Sequence, residues 1–420
     1  MIQNGVPSSR RGLAGEPDLA NLLIPLLLAG MCAQGAIAQE TDPGGLGLAG
    51  PNSVESTLAT TAARQKERGS RSWSAFKTGL AKDTGLSFGI DAQVQYFSAD
   101  RSSSPSEAFG GVVRLYGTWD PVGRGTTNTG QLVFKIENRT SLGNKVDPQI
   151  FGPMIGYAGL MSSTFSDAGS ILSNLYWRQY LADGRLGFVI GQVDVTDYVD
   201  VSSLASPWTA FSNLAFETNP TIPAPSQGLG LAVQWRFAEE WLVLAGIADA
   251  NGDPADPVDS AENLFDTGET FRHLAVAWTP RWGDRYDDHV QLTYWEVDDR
   301  EAAGVDGGWG AALTASMKRD AWRPFFRAGY ADGGGAFLER SVSIGTGYDA
   351  FGGRDLFGVG LNWGQAEGID RDQYTAEAFY RYDPLPFLQI TPSLQYIANP
   401  ANDPTTADIV VFGLRARVAF

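Results

Sequence analysis

The sequence predicts an all-β fold: a transmembrane antiparallel up-and-down β-barrel of about 16 strands, with a short N-terminal periplasmic segment. Three observations predict it. From Leu86 onward, segment after segment alternates apolar and polar residues, as strands do when one face meets an apolar medium and the other meets water. No run of roughly 20 uninterrupted apolar residues is present, and the mean hydropathy is -0.15, which excludes a helical membrane bundle. The last segment alternates up to a terminal aromatic, Phe420.

Composition narrows the function classes. The 420 residues carry 31 Lys+Arg against 48 Asp+Glu, a formal charge of -17, so a nucleic-acid partner is disfavoured because phosphates would be repelled. Twelve Trp, 14 Tyr and 22 Phe require burial or an apolar solvent, which excludes a disordered chain.

Residues 1–38 read as a signal peptide. Arg10 and Arg11 give a positive start, Asn21 to Cys32 a mainly apolar core, and Ala36-Ile37-Ala38 a small-x-small site with cleavage before Gln39. Pro25 and the short apolar run argue against an anchoring helix. Met31 occupies the position where a lipoprotein needs a small residue. Cys32, the only cysteine, is therefore expected to leave with the signal, so the mature chain has no disulfide. Residues 39–84 form the periplasmic segment. Thr41 to Pro51 is a Gly/Pro-rich linker, and Val54 to Arg68 and Trp73 to Lys82 have helix-forming composition.

Residues 85–420 form the barrel. In Leu86–Phe97 the even positions Leu86, Phe88, Ile90, Ala92, Val94 and Tyr96 are apolar or aromatic, and the odd ones include Asp91, Gln93 and Gln95. Fifteen further segments follow: Val112–Trp119, Gln131–Arg139, Asn174–Leu181, Arg185–Val193, Leu229–Phe237, Trp241–Ala250, Phe271–Thr279, His289–Glu296, Trp309–Met317, Trp322–Tyr330, Arg340–Tyr348, Leu356–Trp363, Gln373–Tyr382, Leu388–Ile397 and Ile409–Phe420. Each approaches the length that a tilted strand needs to cross a bilayer. The apolar face is assigned to lipid for two reasons. The polar faces carry charge suited to a wet lumen, and Trp119, Trp235, Trp241, Trp278, Trp363, Tyr382 and Tyr396 recur near strand ends, where an aromatic girdle meets the headgroups. No helix-period segments alternate with the strands, which disfavours a parallel (β/α)₈ barrel.

Several stretches resemble the carbohydrate-selective porin family of the OprB type. They are Gly191 to Asp200 (GQVDVTDYVD), Phe211 to Phe216 (FSNLAF), Asn219 to Pro223 (NPTIP), and Ile390 to Pro400 (ITPSLQYIANP), with the last strand Gly413 to Phe420 (GLRARVAF). The resemblance covers roughly residues 73–420, and Glu55 to Arg68 lies outside it. It implies a sixteen-stranded outer-membrane channel that passes mono- and oligosaccharides passively and uses no cofactor. Its partners would be sugars in transit, outer-membrane lipid, the barrel-assembly machinery reading the strand that ends at Phe420, and further copies of the chain in a homotrimer.

Sugar passage needs hydrogen-bonding groups to replace water, an aromatic face for the pyranose, and weak binding. Opposed charges in one constriction favour neutral polar solutes. The period-two count puts Asp91, Arg114, Lys135, Glu137, Arg139, Asn174, Arg178, Glu377, Arg381, Arg415 and Arg417 in the lumen. Two long connections, Ser141 to Gly169 and Asp194 to Gln227, are too apolar for free loops, and at least one is expected to fold inward. The second brings Asp194, Asp197 and Trp208, the last as an exposed sugar platform.

Asp249, Asn251 and Asp253 resemble the start of a calcium loop, but Pro254 stands where Gly is required, and an acidic surface loop is the simpler reading. Two histidines, His273 and His289, assemble no catalytic or metal set. The competing functions are a general or anion-selective diffusion porin, favoured by the excess of Arg over Lys, and an exported glycoside hydrolase using paired carboxylates. A soluble hydrolase has no need of sixteen alternating segments.

Overall fold

The computed structural model describes residues 48–68, 71–101, 105–282 and 285–420. The signal peptide expected from the sequence, with Cys32, and most of the expected linker lie outside them. Sixteen strands form one closed barrel in which each is antiparallel to its sequence neighbours. They are β1 (Leu86–Ala99), β2 (Glu107–Val122), β3 (Gly130–Ser141), β4 (Gly169–Leu181), β5 (Leu186–Val193), β6 (Gly228–Trp235), β7 (Trp241–Asp249) and β8 (Thr270–Trp278). The second half comprises β9 (Asp288–Val297), β10 (Gly308–Met317), β11 (Trp322–Gly333), β12 (Arg340–Ala350), β13 (Asp355–Gln365), β14 (Asp372–Leu385), β15 (Leu388–Ala398) and β16 (Asp408–Ala419). Closure is by β1 against β16, with Asp91 opposite Ala419 and Gln93 opposite Arg417. Backbone hydrogen bonds exchanged between Ile90 and Phe420 finish the seam, so no unpaired edge meets lipid.

Each predicted segment is a strand, and several strands are longer than the alternation. β2 starts at Glu107 rather than Val112, because alternation marks only the part that faces hydrocarbon, while hydrogen bonding continues into the polar zone. β4 contains a bulge where Ser173 and Asn174 both turn inward and the register with β3 shifts. Beyond it Tyr176, Arg178 and Tyr180 face the lumen.

Even positions of β1 and their counterparts face outward. Trp119, Trp235, Trp241, Tyr382, Tyr396, Phe412 and Leu414 are exposed, as a surface dissolved in lipid requires. Connections at one end are short, as at residues 182–185, 318–321 and 386–387; the other end carries the long segments 142–168, 194–227 and 250–269. Two helices precede the barrel, α1 (Val54–Arg68) and α2 (Arg71–Thr84). α2 stays at the outer rim of the short-turn end, where Trp73 stacks on Phe76 and meets outward-facing Phe88 edge-on.

Candidate functional site

Strand alternation places all eleven sequence-predicted wall residues on the lumenal face. Asp91, Arg114, Lys135, Glu137, Arg139, Asn174, Arg178, Glu377, Arg415 and Arg417 are buried there, and Arg381 is half-buried. Register then pairs them. Asp91, Arg114 and Glu137 lie directly opposite one another across β1, β2 and β3. Asp91 accepts from Arg114 Nε at 2.7 Å and from Arg417 Nε and Nη2 at 3.0 and 2.7 Å. Glu137 accepts from Arg139 Nε at 2.7 Å. Glu377 is held by the loop: the amides of Ser212 and Asn213 and the Ser212 hydroxyl donate to it, each at 2.9 Å.

Both long segments fold inward. Arg415 donates to the carbonyls of Pro207 and Ala210, and Arg381 to that of Thr209 at 3.3 Å. Asp194 caps the first turn of its segment by accepting from Thr196 N at 3.0 Å and also holds Gln227 at 2.7 Å. Asp197 receives Asn174 Nδ2 at 3.3 Å. Phe211 packs on Phe216, Phe325 and Phe379 at centroid distances of 5.0, 5.8 and 4.9 Å. The wall makes room for these rings: a Cβ on Gly360 would stand 2.7 Å from Phe216. Segment 142–168 carries a short helix, α3 (Pro148–Met154), and Phe151 there stacks on Phe97. The two segments are tied to each other by Tyr157 Oη donating to Asn213 at 2.9 Å and by Ser163 Oγ donating to Glu217.

One half of the lumen is filled by apolar packing. Tyr198, Val199 and Ile222 of the inward loop join Leu242, Leu244, Phe271 and Trp295 of the wall, with small residues such as Ala232, Ala275, Ala312 and Ala331 beneath them. At Gly329 the loop lies on the wall so closely that a Cβ would fall 2.1 Å from Thr221 Oγ1. The walls of β1–β4 and β14–β16 carry most of the buried charges, beside smaller apolar clusters around Phe97 and Phe211.

Trp208 corrects the sequence-based expectation. It is 3% exposed, not an open platform. The Arg114 guanidinium lies 3.7 Å from its ring centroid, Phe165 flanks it at 6.0 Å, and its Nε1 donates to Asn52 at 2.6 Å. Arg114 is the reason: a cation facing a low-dielectric wall takes the nearest aromatic face. Trp208 still borders a chamber of about 410 Å³ at the short-turn end of the lumen.

Helix α1 is the lumenal element that sequence reading missed. It packs against β1, β2 and β3 from inside. Glu55 pairs with Arg178 at 2.7 Å, Arg64 approaches Asp383 at 3.8 Å, and Gln65 Nε2 donates to the Ala419 carbonyl at 3.2 Å. Val54 and Leu58 join the apolar cluster. The sequence offered one usable signal, Glu55 and Arg64 at the two ends of an otherwise uncharged, Ala/Thr-rich stretch.

The junction between the inward segments is expected to respond to pH through Glu217. Burial pushes the Glu217 carboxyl up to about 8; Ser163, Arg415 and Arg327 offset part of this, and Glu377 adds to it. A carboxyl raised above its ordinary value of about 4.3 stabilises the fold most below that value, and the contribution is lost as pH rises through about 8. Between pH 7 and pH 9, backbone amide exchange at Ser163 and in residues 212–218 should therefore accelerate beyond its intrinsic base catalysis. Glu217→Gln should remove the excess, and an equal excess in that variant would disprove the assignment.

Asp249 and Asp253 spend carboxylate oxygens within their own loop, and Asn251 donates its Nδ2 to Glu269. Asp249 accepts from Ser260 Oγ at 2.7 Å and from Asn251 N at 2.8 Å, and Asp253 accepts from Ala255 N at 2.8 Å. Among the described residues no three such groups converge on a metal position. His273 packs beside Tyr198 and Phe271, and His289 meets the Ser316 hydroxyl at 3.0 Å.

The family model described as carbohydrate-selective porin, OprB family, matches residues 122–312 and 284–420. No curated protein is matched by the sequence. Among solved structures, OprB of Pseudomonas putida at high pH is similar with a TM-score of 0.63 at 15% identity, over 83% of this chain and 97% of that one. OmpT of Vibrio cholerae, lacking its loop L8, is similar with a TM-score of 0.50 at 14% identity, over 80% and 99%. At these identities the structural likeness is one of fold. The family match spans most of the barrel, and the chain belongs to the carbohydrate-selective porin (OprB) family, as a β-barrel protein that crosses the outer membrane many times.

Proposed function

We propose that the chain is a passive channel for mono- and oligosaccharides, with the short-turn end in the periplasm and a mixed-charge constriction between the β1–β3 wall and the inward loop. The observation that carries this reading is the split lumen. Apolar packing closes one part of the bore, and the rest keeps an open chamber lined by groups such as Arg323, Asp287, Asp349 and Gln389, with the paired charges Asp91, Arg114, Glu137, Arg139 and Arg417 buried in the wall. The chamber supplies donors and acceptors to hydroxyls, while the opposed charges in the wall counter a strong preference for either ion. Asp194, Asp197, Glu377 and Arg415 act by holding the loop in place. The residues surrounding the paired carboxylates are arginines and loop amides that neutralise them, which favours transport over glycoside cleavage. Assembly would proceed through the strand ending at Phe420, whose ring stacks on Phe387 at 6.1 Å.

Planar-bilayer current titrated with glucose, maltose and phosphate tests the reading. Both sugars should block in a saturable way, and block by phosphate alone would favour an anion-selective pore. Trp208→Ala loosens Arg114 and removes the ring at the chamber edge. Its glucose half-block concentration should rise about fivefold, the equivalent of about 1 kcal/mol; an unchanged value would remove Trp208 from the sugar path.

A further inference from the structure

The chamber at the short-turn end has an electrostatic character that the constriction lacks. Its walls carry Arg64 of α1, Arg285, Arg323, Arg381 and Arg417 against Asp287 and Asp349. The nearby carboxylates are already divided between cations. Asp383 is shared by Arg64 at 3.8 Å and Arg381 at 3.3 Å, and Asp91 by Arg417 and Arg114. Asp287 and Asp349 are each shared by Arg323 and Lys318. A chain with a formal charge of -17 thus concentrates an excess of positive charge inside its bore.

These cations are also reachable. The side chains of Arg64, Arg323 and Arg381 keep 20%, 25% and 16% of their surface open. Burial and then Arg417 pull Arg64 down to about 9, with only Asp383 and Tyr116 opposing, as expected where one more negative charge would be welcome. The volume of about 410 Å³ admits a hexose ring, and the chamber also presents Gln389, Asp287 and Asp349 to hydroxyls.

We propose that this chamber binds the carboxylate of acidic sugars, hexuronates above all, so that the channel favours carboxylated over neutral monosaccharides. The inference rests on the sugar-channel reading and adds a substrate class to it. The carboxylate would lie between Arg64 and Arg381, which share a single aspartate, where two guanidinium groups offer paired donors. Because Arg64 comes from α1, the N-terminal helix becomes part of the recognition surface.

The test uses the full chain in planar bilayers, with glucose, glucuronate and acetate added on the short-turn side. Glucuronate should reach half-block at about one tenth of the glucose concentration, the equivalent of about 1.4 kcal/mol. The glucuronate preference should fall as salt rises. In Arg64→Gln and Arg381→Gln the ratio of the two half-block concentrations should approach one, with unchanged heat-modifiable mobility as the check on folding. Equal block by glucose and glucuronate in the unaltered protein overturns the proposal while leaving the sugar channel standing. Acetate blocking as strongly as glucuronate overturns it as well, since the site would then recognise a bare anion. Absence of block by any sugar overturns the channel reading itself.

Discussion

A chain lacking residues 49–68 should conduct at least about twice the current of the full chain. Helix α1, at 15 residues, is about 22 Å long and about 10 Å across with its side chains. It packs by Val54 and Leu58 on the apolar filling around Tyr198, Val199 and Ile222 and borders the chamber left beside it with Thr60 and Arg64. A sixteen-stranded barrel encloses an aqueous channel when nothing plugs it, so withdrawing a cylinder of that width widens the narrowest section. High salt screens the accompanying change in charge, and the gain should persist there because its origin is steric. The deletion also frees Arg178 from Glu55 and uncovers the apolar contact of Val54 and Leu58. Glu55→Gln combined with Asn52→Ala is therefore the second variant: the helix is kept, but its ties to Arg178 and Trp208 are cut. That protein should switch between two conductance levels, the upper matching the deletion. A folded deletion protein with the conductance of the full chain would show that α1 does not limit the pore.

Much of this architecture is legible in the sequence because a barrel wall imposes a period of two on every strand. Asp91, Gln93 and Gln95 alternate with Ile90, Val94 and Tyr96, and this parity alone tells lumen from lipid. Inward folding of 194–227 could also be read, since Trp208, Phe211 and Phe216 have no business in a solvated loop. The position of α1 could not. Its Ala- and Thr-rich turns suit a helix in water as well as one inside a polar bore, and the partner that decides, Arg178, lies more than a hundred residues away. The state of Trp208 was hidden for the same reason: both Arg114, which covers its ring, and Asn52, which accepts the hydrogen bond of its indole N–H, are distant in sequence. Nor did alternation reveal that the β6–β10 wall faces an apolar filling. Inward residues such as Ala232, Ala275 and Ala312 acquire meaning only from what packs on them.

The largest loss of stability should follow from Asp91→Ala. Asp91 is fully buried and lies between two arginines, each of which is about 1% exposed. Removing the carboxylate leaves two guanidinium groups facing each other without their shared acceptor, and breaking a buried ion pair from one side costs about 3–5 kcal/mol. Trp208 keeps Arg114 partly compensated, and Gln389 accepts from Arg417 Nη1 at 3.0 Å, so the barrel should still close at low temperature. Its transition in heat-modifiable electrophoresis should nevertheless come well below that of the unaltered protein. The damage belongs to the stranded cations and not to a lost attraction, so Asp91→Ala combined with Arg114→Met and Arg417→Met should recover most of the stability. The seam supplies the reason: β1 and β16 carry Asp91 and Arg417 to the line where the barrel closes, and the backbone bonds between Ile90 and Phe420 hold it shut once the charges are gone. Equal instability of the single and triple variants would mean that Asp91 stabilises the closure by itself, against the argument from uncompensated charge.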